Sequence, residues 1–297
     1  MKRSLSEKVF NICNILLMLL LCIIMLYPYL NQVAISLNDG VDTMRGGIYL
    51  LPRRFTLENY RAVFTNPDFS RAVLISVSRV VLATLLSLSV VFSAAYGLTR
   101  RGLPYKRAIT LFLMIPAYIS AGVIPVYMLY RHLKLINNFL VYILPTAFAF
   151  YNMVILRSFL QELPASIEES AAIDGASPFQ TMVRIVLPMS LPVLATVTLW
   201  IAVGAWNDWT TTLMYVTEKE LFPLQYLMMR LIKESEIAQQ MAAQAAMTQN
   251  AEEAVVKTTS DAVKSATMIV TTLPIIAVYP FLQKYFIKGV VLGAVKE

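Results

Sequence analysis

Six stretches of this chain are apolar over span length, at approximately 12–36, 71–99, 108–130, 139–160, 188–214 and 266–287. A helix needs about 20 apolar residues to cross a bilayer. In hydrocarbon every backbone polar group must be satisfied internally. The chain is therefore expected to be an all-α polytopic membrane protein with six transmembrane helices. Composition agrees: 58% of its residues are hydrophobic and 14% are charged, whereas soluble domains carry about 25% charge. The whole of 1–297 reads as one transmembrane domain.

Charge gives the orientation. Lys2, Arg3 and Lys8 precede the first run. That run is too long for the apolar core of a signal peptide, and no small-x-small cleavage site follows it cleanly. It is read as a retained span. Arg100, Arg101, Lys106 and Arg107 lie between the second and third runs with no acidic neighbour, which marks a cytoplasmic loop. Six spans return the C-terminus to the same side, in agreement with Lys284, Lys288 and Lys296. Segments 37–70 and 215–265 then lie outside and 161–187 inside; Arg131 and Lys134, in an outside loop, run against the rule. The net charge of +7 is thus mostly topology, and no nucleic-acid partner is implied. Cys13 and Cys22 share the first run nine positions apart, on opposite helix faces, so no intrachain disulfide is expected.

Between the fourth and fifth runs lies a polar island, Leu163 to Pro192. Pro164 and Ser166 open a short helix, and Ser166 with Glu169 has capping-box spacing. Gly175 is placed to end that helix in the left-handed conformation. Ser177, Pro178 and Gln180 begin a second helix, with Pro at its first position and Gln at box spacing. The island then runs through Ile185, Leu187 and Pro188 into the membrane.

Glu169-Ser170-Ala171, Gly175, Ile185 and Leu187-Pro188 together resemble the EAA loop of ABC importer permeases, with the family's spacing throughout and Ser170 as the one departure. Phe55-Thr56-Leu57-Glu58-Asn59-Tyr60, Leu156-Arg157-Ser158-Phe159, Ala205-Trp206-Asn207-Asp208 and the segment Tyr279 to Lys296 are similar to carbohydrate permeases of the maltose G-subunit type. The resemblance is narrower still to the lipo-oligosaccharide and polysaccharide uptake branch. It implies a type I ABC importer permease fold in a bacterial inner membrane. It implies as partners a second, different permease, two cytoplasmic ATPases, an extracellular solute-binding protein and an oligosaccharide cargo. Ser166, Glu168, Glu169, Ala171, Ala172, Asp174, Gly175 and Phe179 would form the coupling helix and its turn, seated in a cleft of the ATPase.

The chain itself carries little chemistry. It has no Gly-x-x-x-x-Gly-Lys-Ser/Thr, so ATP and magnesium belong to the partner ATPases and no cofactor is expected here. His132 is the sole histidine, which excludes His-cluster metal sites and most nucleophile–base pairs. No Gly-x-Ser-x-Gly elbow occurs.

Two ionisable residues inside the runs merit weighing, Arg79 in the second and Asp208 in the fifth. A charge at such depth usually faces a cavity or a partner. A polar path lined by Asn207, Asp208 and Thr211 is expected, with Trp206 and Trp209 offering faces for sugar. Arg79 reaches either that path or the outer interface. Arg45, Arg53, Arg54, Arg61, Arg71 and Arg79 outnumber Asp39, Asp42, Glu58 and Asp68 at the outer mouth, which favours an acidic cargo. A surface helix is expected over Ile237 to Met247, followed by a polar break at Thr248-Gln249-Asn250. Two other classes fit an apolar helical chain: an ion-coupled secondary transporter, which calls for inverted repeats and more buried charge, and a membrane scaffold that passes no substrate.

Overall fold

The computed structural model describes residues 5–100, 102–247 and 261–294. It is helical, and among the described residues the only β-pairing is one bridge, Asn38 with Phe55. The main helices are α1 (Leu5–Ser36), α2 (Glu58–Thr65), α3 (Pro67–Thr99), α4 (Lys106–Tyr118), α5 (Val123–His132) and α6 (Phe150–Gln161). They continue with α7 (Ala165–Ile173), α8 (Pro178–Met189), α9 (Leu191–Asn207), α10 (Thr210–Tyr215), α11 (Leu224–Met247) and α12 (Asp261–Ala294).

Three helices have the length and apolarity to cross a membrane by themselves, α1, α3 and the start of α12. Two more apolar stretches are broken pairs. α4 and α5 meet at 112°, and α8 and α9 at 81°. The causes are local. Gly122, in the gap between α4 and α5, has φ +85°. At the second break Pro192 brings no N–H and its ring would strike the carbonyl of Pro188 four residues back. Pro188 acts likewise on the turn before it, which widens to a π-helix over Met182–Val186. The fourth apolar run, 139–160, is a 3-10 turn over Phe139–Tyr142 followed, after irregular backbone, by the 12-residue α6. It is not a continuous helix as its composition suggests.

The chain forms two compact units. The first comprises Met1–Ser70 with Met228–Leu273, the second Arg71–Leu227 with Pro274–Glu297. In the first unit α1 leaves its most apolar window unburied, as a lipid-facing helix should. After α1 the chain closes a polar knot around Asn38, which is fully buried. The Asn38 amide donates to Asp42 at 3.1 Å and to Thr43 at 3.0 Å, and its carbonyl accepts from the Arg54 amide at 2.8 Å. Asn59 donates to the Ser36 and Asn38 carbonyls at 2.9 and 2.8 Å. Arg53 binds Asp42 at 2.9 Å. The N-cap of α2 is Leu57, and the Thr56 hydroxyl accepts from the Glu58 amide at 3.2 Å. On α2, Val63 is buried and Tyr60 is held by Ser36 at 2.8 Å, while Phe64 is exposed and packs edge-on against Phe69. α11 starts 13 residues before the expected Ile237 and is described as far as Met247. The polar break after it lies outside the described residues.

The second unit holds the core. One face of α3 is buried from end to end: Ala72, Ser76, Arg79, Ala83, Ser87, Val91, Ala95 and Leu98. The three- and four-residue spacing draws a single stripe. Most members are small, which lets neighbouring backbones approach where lipid offers helices no hydrophobic reason to associate. The opposite face, with Leu74, Val81 and Leu85, is exposed and apolar. Val91, Phe92 and Ala95 pack with Met153 and Leu156 of α6 and Val197 of α9. A second cluster gathers Leu135, Val141, Tyr142 and Ile143 with Val216 and Phe222.

The Asn38 knot has a pH dependence. Asn38's hydrogen bond, above all, holds the Asp42 carboxyl below its usual range, and Arg53 adds to this while burial opposes it. A depressed folded-state value means that the stabilisation is present above the unfolded-state value of about 3.9 and is lost as pH falls through the folded one. Relative to the intrinsic exchange rate at each pH, amide protection over 38–56 should thus be high at neutral pH and low near pH 3. In Asp42→Asn it should be lower at neutral pH and change little with acid. Equal protection of the unaltered chain at both pH values would refute this.

Candidate functional site

The polar island folds as helix, turn, helix. α7 begins at Ala165 with Pro164 in the cap position, so the expected capping box between Ser166 and Glu169 does not form. Pro164 has no N–H to satisfy and its φ of −59° already suits a helix start, which moves the boundary back from Ser166. The other end follows expectation. Gly175 sits at φ +80°. Its amide donates to the Ala172 carbonyl at 3.1 Å, and the Ala176 amide donates to that of Ala171 at 2.9 Å, the paired bonds of a Schellman motif. Ser177 and Gln180 then form the predicted capping box: the Gln180 amide donates to Ser177 Oγ at 3.3 Å and the Ser177 amide to Gln180 Oε1 at 2.9 Å.

The island is anchored to the end of α3. Arg100 pairs with Glu168 at 2.5 Å and lies over the Tyr96 ring, 4.3 Å from its centroid. Glu168 also stands in the first turn of α7, where the helix dipole favours a carboxylate. Ala171 is buried, whereas Ser166, Glu169, Ala172, Asp174 and Gly175 are exposed. Two large apolar side chains stand out on either side of the turn, Ile173 at 86% and Phe179 at 69% exposure. A cleft of about 440 Å³ runs between this island and the end of α3, past Arg100, Leu160, Glu168 and Val186. Sequence reasoning missed the Arg100–Glu168 pair, since nothing in the spacing joins residues so far apart.

The second site lies at the other end of α9. Arg79 is 2% exposed. Its Nη2 donates to the backbone carbonyls of Ala205, Trp206 and Asp208, which end α9. A helix leaves its last carbonyls without partners and carries partial negative charge there, so the guanidinium answers both needs. Asp208 Oδ2 stands 4.0 Å from Arg79 Nη1. Asp208 Oδ1 accepts from Thr210 Oγ1 at 2.8 Å and the Thr211 amide at 3.1 Å, holding the start of α10. Tyr142 lies beneath Arg79, with the ring centroid 5.1 Å from Cζ. Its hydroxyl is tied to Thr212 and to the Leu221 carbonyl at 3.0 and 2.9 Å. Arg79 Nε and Nη1 and Ser87 Oγ are buried without a hydrogen-bond partner.

Around these groups is a cavity of about 290 Å³ lined by Arg79, Ser87, Asn152, Trp200, Asp208 and Thr211 among others. Of the six path residues expected from sequence, Arg79, Asp208 and Thr211 meet here. Trp206 does not: it is buried and faces an apolar groove with Val77, Val81 and Pro274. Asn207 is exposed, and neither it nor Trp209 lines the cavity. The aromatic face is supplied by Trp200, which stacks on Tyr151 at 6.1 Å. Trp200, Asn152 and Ser87 were hidden in the sequence because each is an ordinary residue of an apolar run. Their shared cavity arises only from packing.

Comparison with known proteins agrees with this architecture. Residues 90–292 match the family described as binding-protein-dependent transport system inner membrane component. Protein LplC of Bacillus subtilis (strain 168) is 34% identical over 100% of this chain and 98% of its own length. The polygalacturonan/rhamnogalacturonan transport system permease protein YtcP of the same organism is 32% identical, over 94% of this chain and 95% of its own. A solved bacterial ABC transporter involved in the import of the acidic polysaccharide alginate contains a chain that superposes with a TM-score of 0.84 at 25% identity, covering 96% of this chain and 99% of that one. The chain belongs to the family of binding-protein-dependent transport system inner membrane components.

Proposed function

We propose that this chain is one of two permease subunits of an ATP-driven carbohydrate importer, and that its polar island is where the ATPase engages it. The observation that carries this is the island itself: a short helix locked by a left-handed glycine turn and clamped to α3 through Arg100. On its exposed side it presents Ile173 and Phe179, apolar side chains in an otherwise polar loop. Such a face suits a groove on a partner protein. Ser166, Glu168, Glu169, Ala171, Ala172, Asp174, Gly175 and Phe179 form the docking element. The cargo class rests on the relatives, among them one named for polygalacturonan/rhamnogalacturonan transport and a structure that imports alginate.

All six apolar runs cross the bilayer in this reading, the third and fifth as bent pairs and the fourth through the 3-10 turn and α6. Both termini are cytoplasmic. A second permease, a solute-binding protein outside and two ATPases carrying ATP and magnesium complete the machine. ATP-driven closure of the ATPases moves the islands, and the spans rock between inward- and outward-facing states while sugar passes. Arg79, Asp208 and Thr211 line the path.

Topology is tested with single cysteines in a chain carrying Cys13→Ala and Cys22→Ala. Cysteines at Lys106 and Ser177 should be shielded from an impermeant thiol reagent in intact cells, and one at Gln249 should react. Labelling at position 177 from outside would overturn the orientation.

Coupling is tested at Gly175. A Cβ there would meet no atom within 4 Å, so the burden of a β-branched residue is backbone strain, of order 1–3 kcal/mol. Gly175→Val should insert normally but bind the ATPase more weakly, or lose the rise in ATP hydrolysis caused by sugar-loaded binding protein. Co-purification and stimulated hydrolysis in proteoliposomes read this out. Full coupling in that variant would leave the island as a capped loop without this role. Uptake driven by an ion gradient without the ATPases would point to a secondary transporter instead.

A further inference from the structure

Three of the six arginines at the outer mouth are already engaged in the fold. Arg53 is taken by Asp42 at 2.9 Å and Arg71 pairs with Glu220 at 3.7 Å. Arg79, the one arginine in the cavity, faces three carbonyls at the negative end of α9 and the Asp208 carboxylate. Among the described residues, Arg79 and Asp208 are the only charged ones lining that cavity, so they bring it no surplus positive charge. A carboxylate brought in would lose its hydration and meet Asp208.

The groups that lack partners there are donors, or donor and acceptor at once: Arg79 Nε and Nη1 and Ser87 Oγ. Nearby are an amide at Asn152, the Asp208 carboxylate and the face of Trp200, which is 45% exposed. We infer that this cavity is a subsite for one uncharged sugar ring. A pair of neighbouring hydroxyls accepts from Arg79 and donates to Asp208. A third hydroxyl meets Ser87 or Asn152, and the apolar ring face lies on Trp200. At about 290 Å³ the space is at the lower limit of small-molecule pockets, roughly 300 Å³, and fits one ring rather than a chain. The carboxylates of an acidic oligosaccharide are therefore read elsewhere on the path. The inference rests on the importer reading and narrows it.

The test uses the complete importer in proteoliposomes with its binding protein, ATPases and partner permease. Matched trisaccharides serve as probes, neutral and C6-oxidised, in the galacto, gluco and manno series. Arg79 also holds the end of α9, so the test variants are Ser87→Ala and Trp200→Ala, with co-purification of the partners as the folding control. The wild type should take up a neutral probe, or an acidic probe that carries at least one neutral ring. The variants should raise KM for that probe about ten-fold or more as buried donors and the ring face go unmet. Unchanged KM in both variants would overturn the subsite and leave the importer reading standing. So would wild-type uptake confined to fully oxidised probes. No ATP-dependent uptake of any probe would overturn both readings.

Discussion

The second unit depends on how one helix end is satisfied. α9 stops at Asn207 inside an apolar run, where water is scarce and unpaired carbonyls cost several kcal/mol each. Arg79 resolves this with one guanidinium shared among three carbonyls and the Asp208 carboxylate. A buried arginine is itself costly, and a helix C-terminus with a nearby acid is an environment that tolerates it. Neither feature is stable at that depth alone. Together they fix where α9 ends and α10 begins, and they leave two buried guanidinium nitrogens without a hydrogen-bond partner beside the cavity that Arg79 helps to line.

The rest of the unit is arranged so that this contact is possible. Arg79 sits in the buried stripe of α3 between Ser76 and Ala83, and small residues above and below it allow the facing backbone to come near. A stripe of Leu in place of Ala72, Ser76, Ala83 and Ala95 would separate the helices and strand the guanidinium. The proline-driven bend at Ser190 serves the same packing from the other end. Ser190 is fully buried, and its hydroxyl joins its own amide on the Val186 carbonyl, at 2.7 and 3.0 Å.

How far the sequence discloses this differs from element to element. Long apolar runs such as α1 and α3 are read directly, even with Pro28 inside α1, because length and hydropathy decide them. The Gly175 turn and the Ser177–Gln180 box are also legible, since local backbone chemistry determines both. The start of α7 is not: two adjacent cap candidates compete, and Pro164 displaces Ser166. The bends at 112° and 81° are half legible, because proline and glycine mark where a helix breaks but not by how much. The cavity is legible only through its charged members. Arg79 and Asp208 stand out in apolar runs, whereas Trp206 and Trp209 attract attention for the same reason and point elsewhere. Trp200 lines the cavity because of where α9 packs, which no local pattern encodes.

The two sites are joined by a single element. The island passes through α8 and the Ser190 bend into α9, and α9 ends in the grip of Arg79. Seventeen residues at 1.5 Å each make α9 a rod about 25 Å long, close to the thickness of the hydrocarbon core. A hydrogen-bonded helix resists compression, so a displacement of the island is passed on as tilt or rotation about the bend. The far end cannot move without altering the Arg79 contacts, because the same three carbonyls that end the helix hold the guanidinium. On the proposed reading, engagement by the ATPase on one side of the membrane and the shape of the cavity near the other are therefore linked by one rigid helix. On that reading, a shift of α9 alters which carbonyls Arg79 holds and how closely Asp208 approaches it. The two Arg79 nitrogens without a hydrogen-bond partner are then the contact through which the proposed sugar ring senses that change.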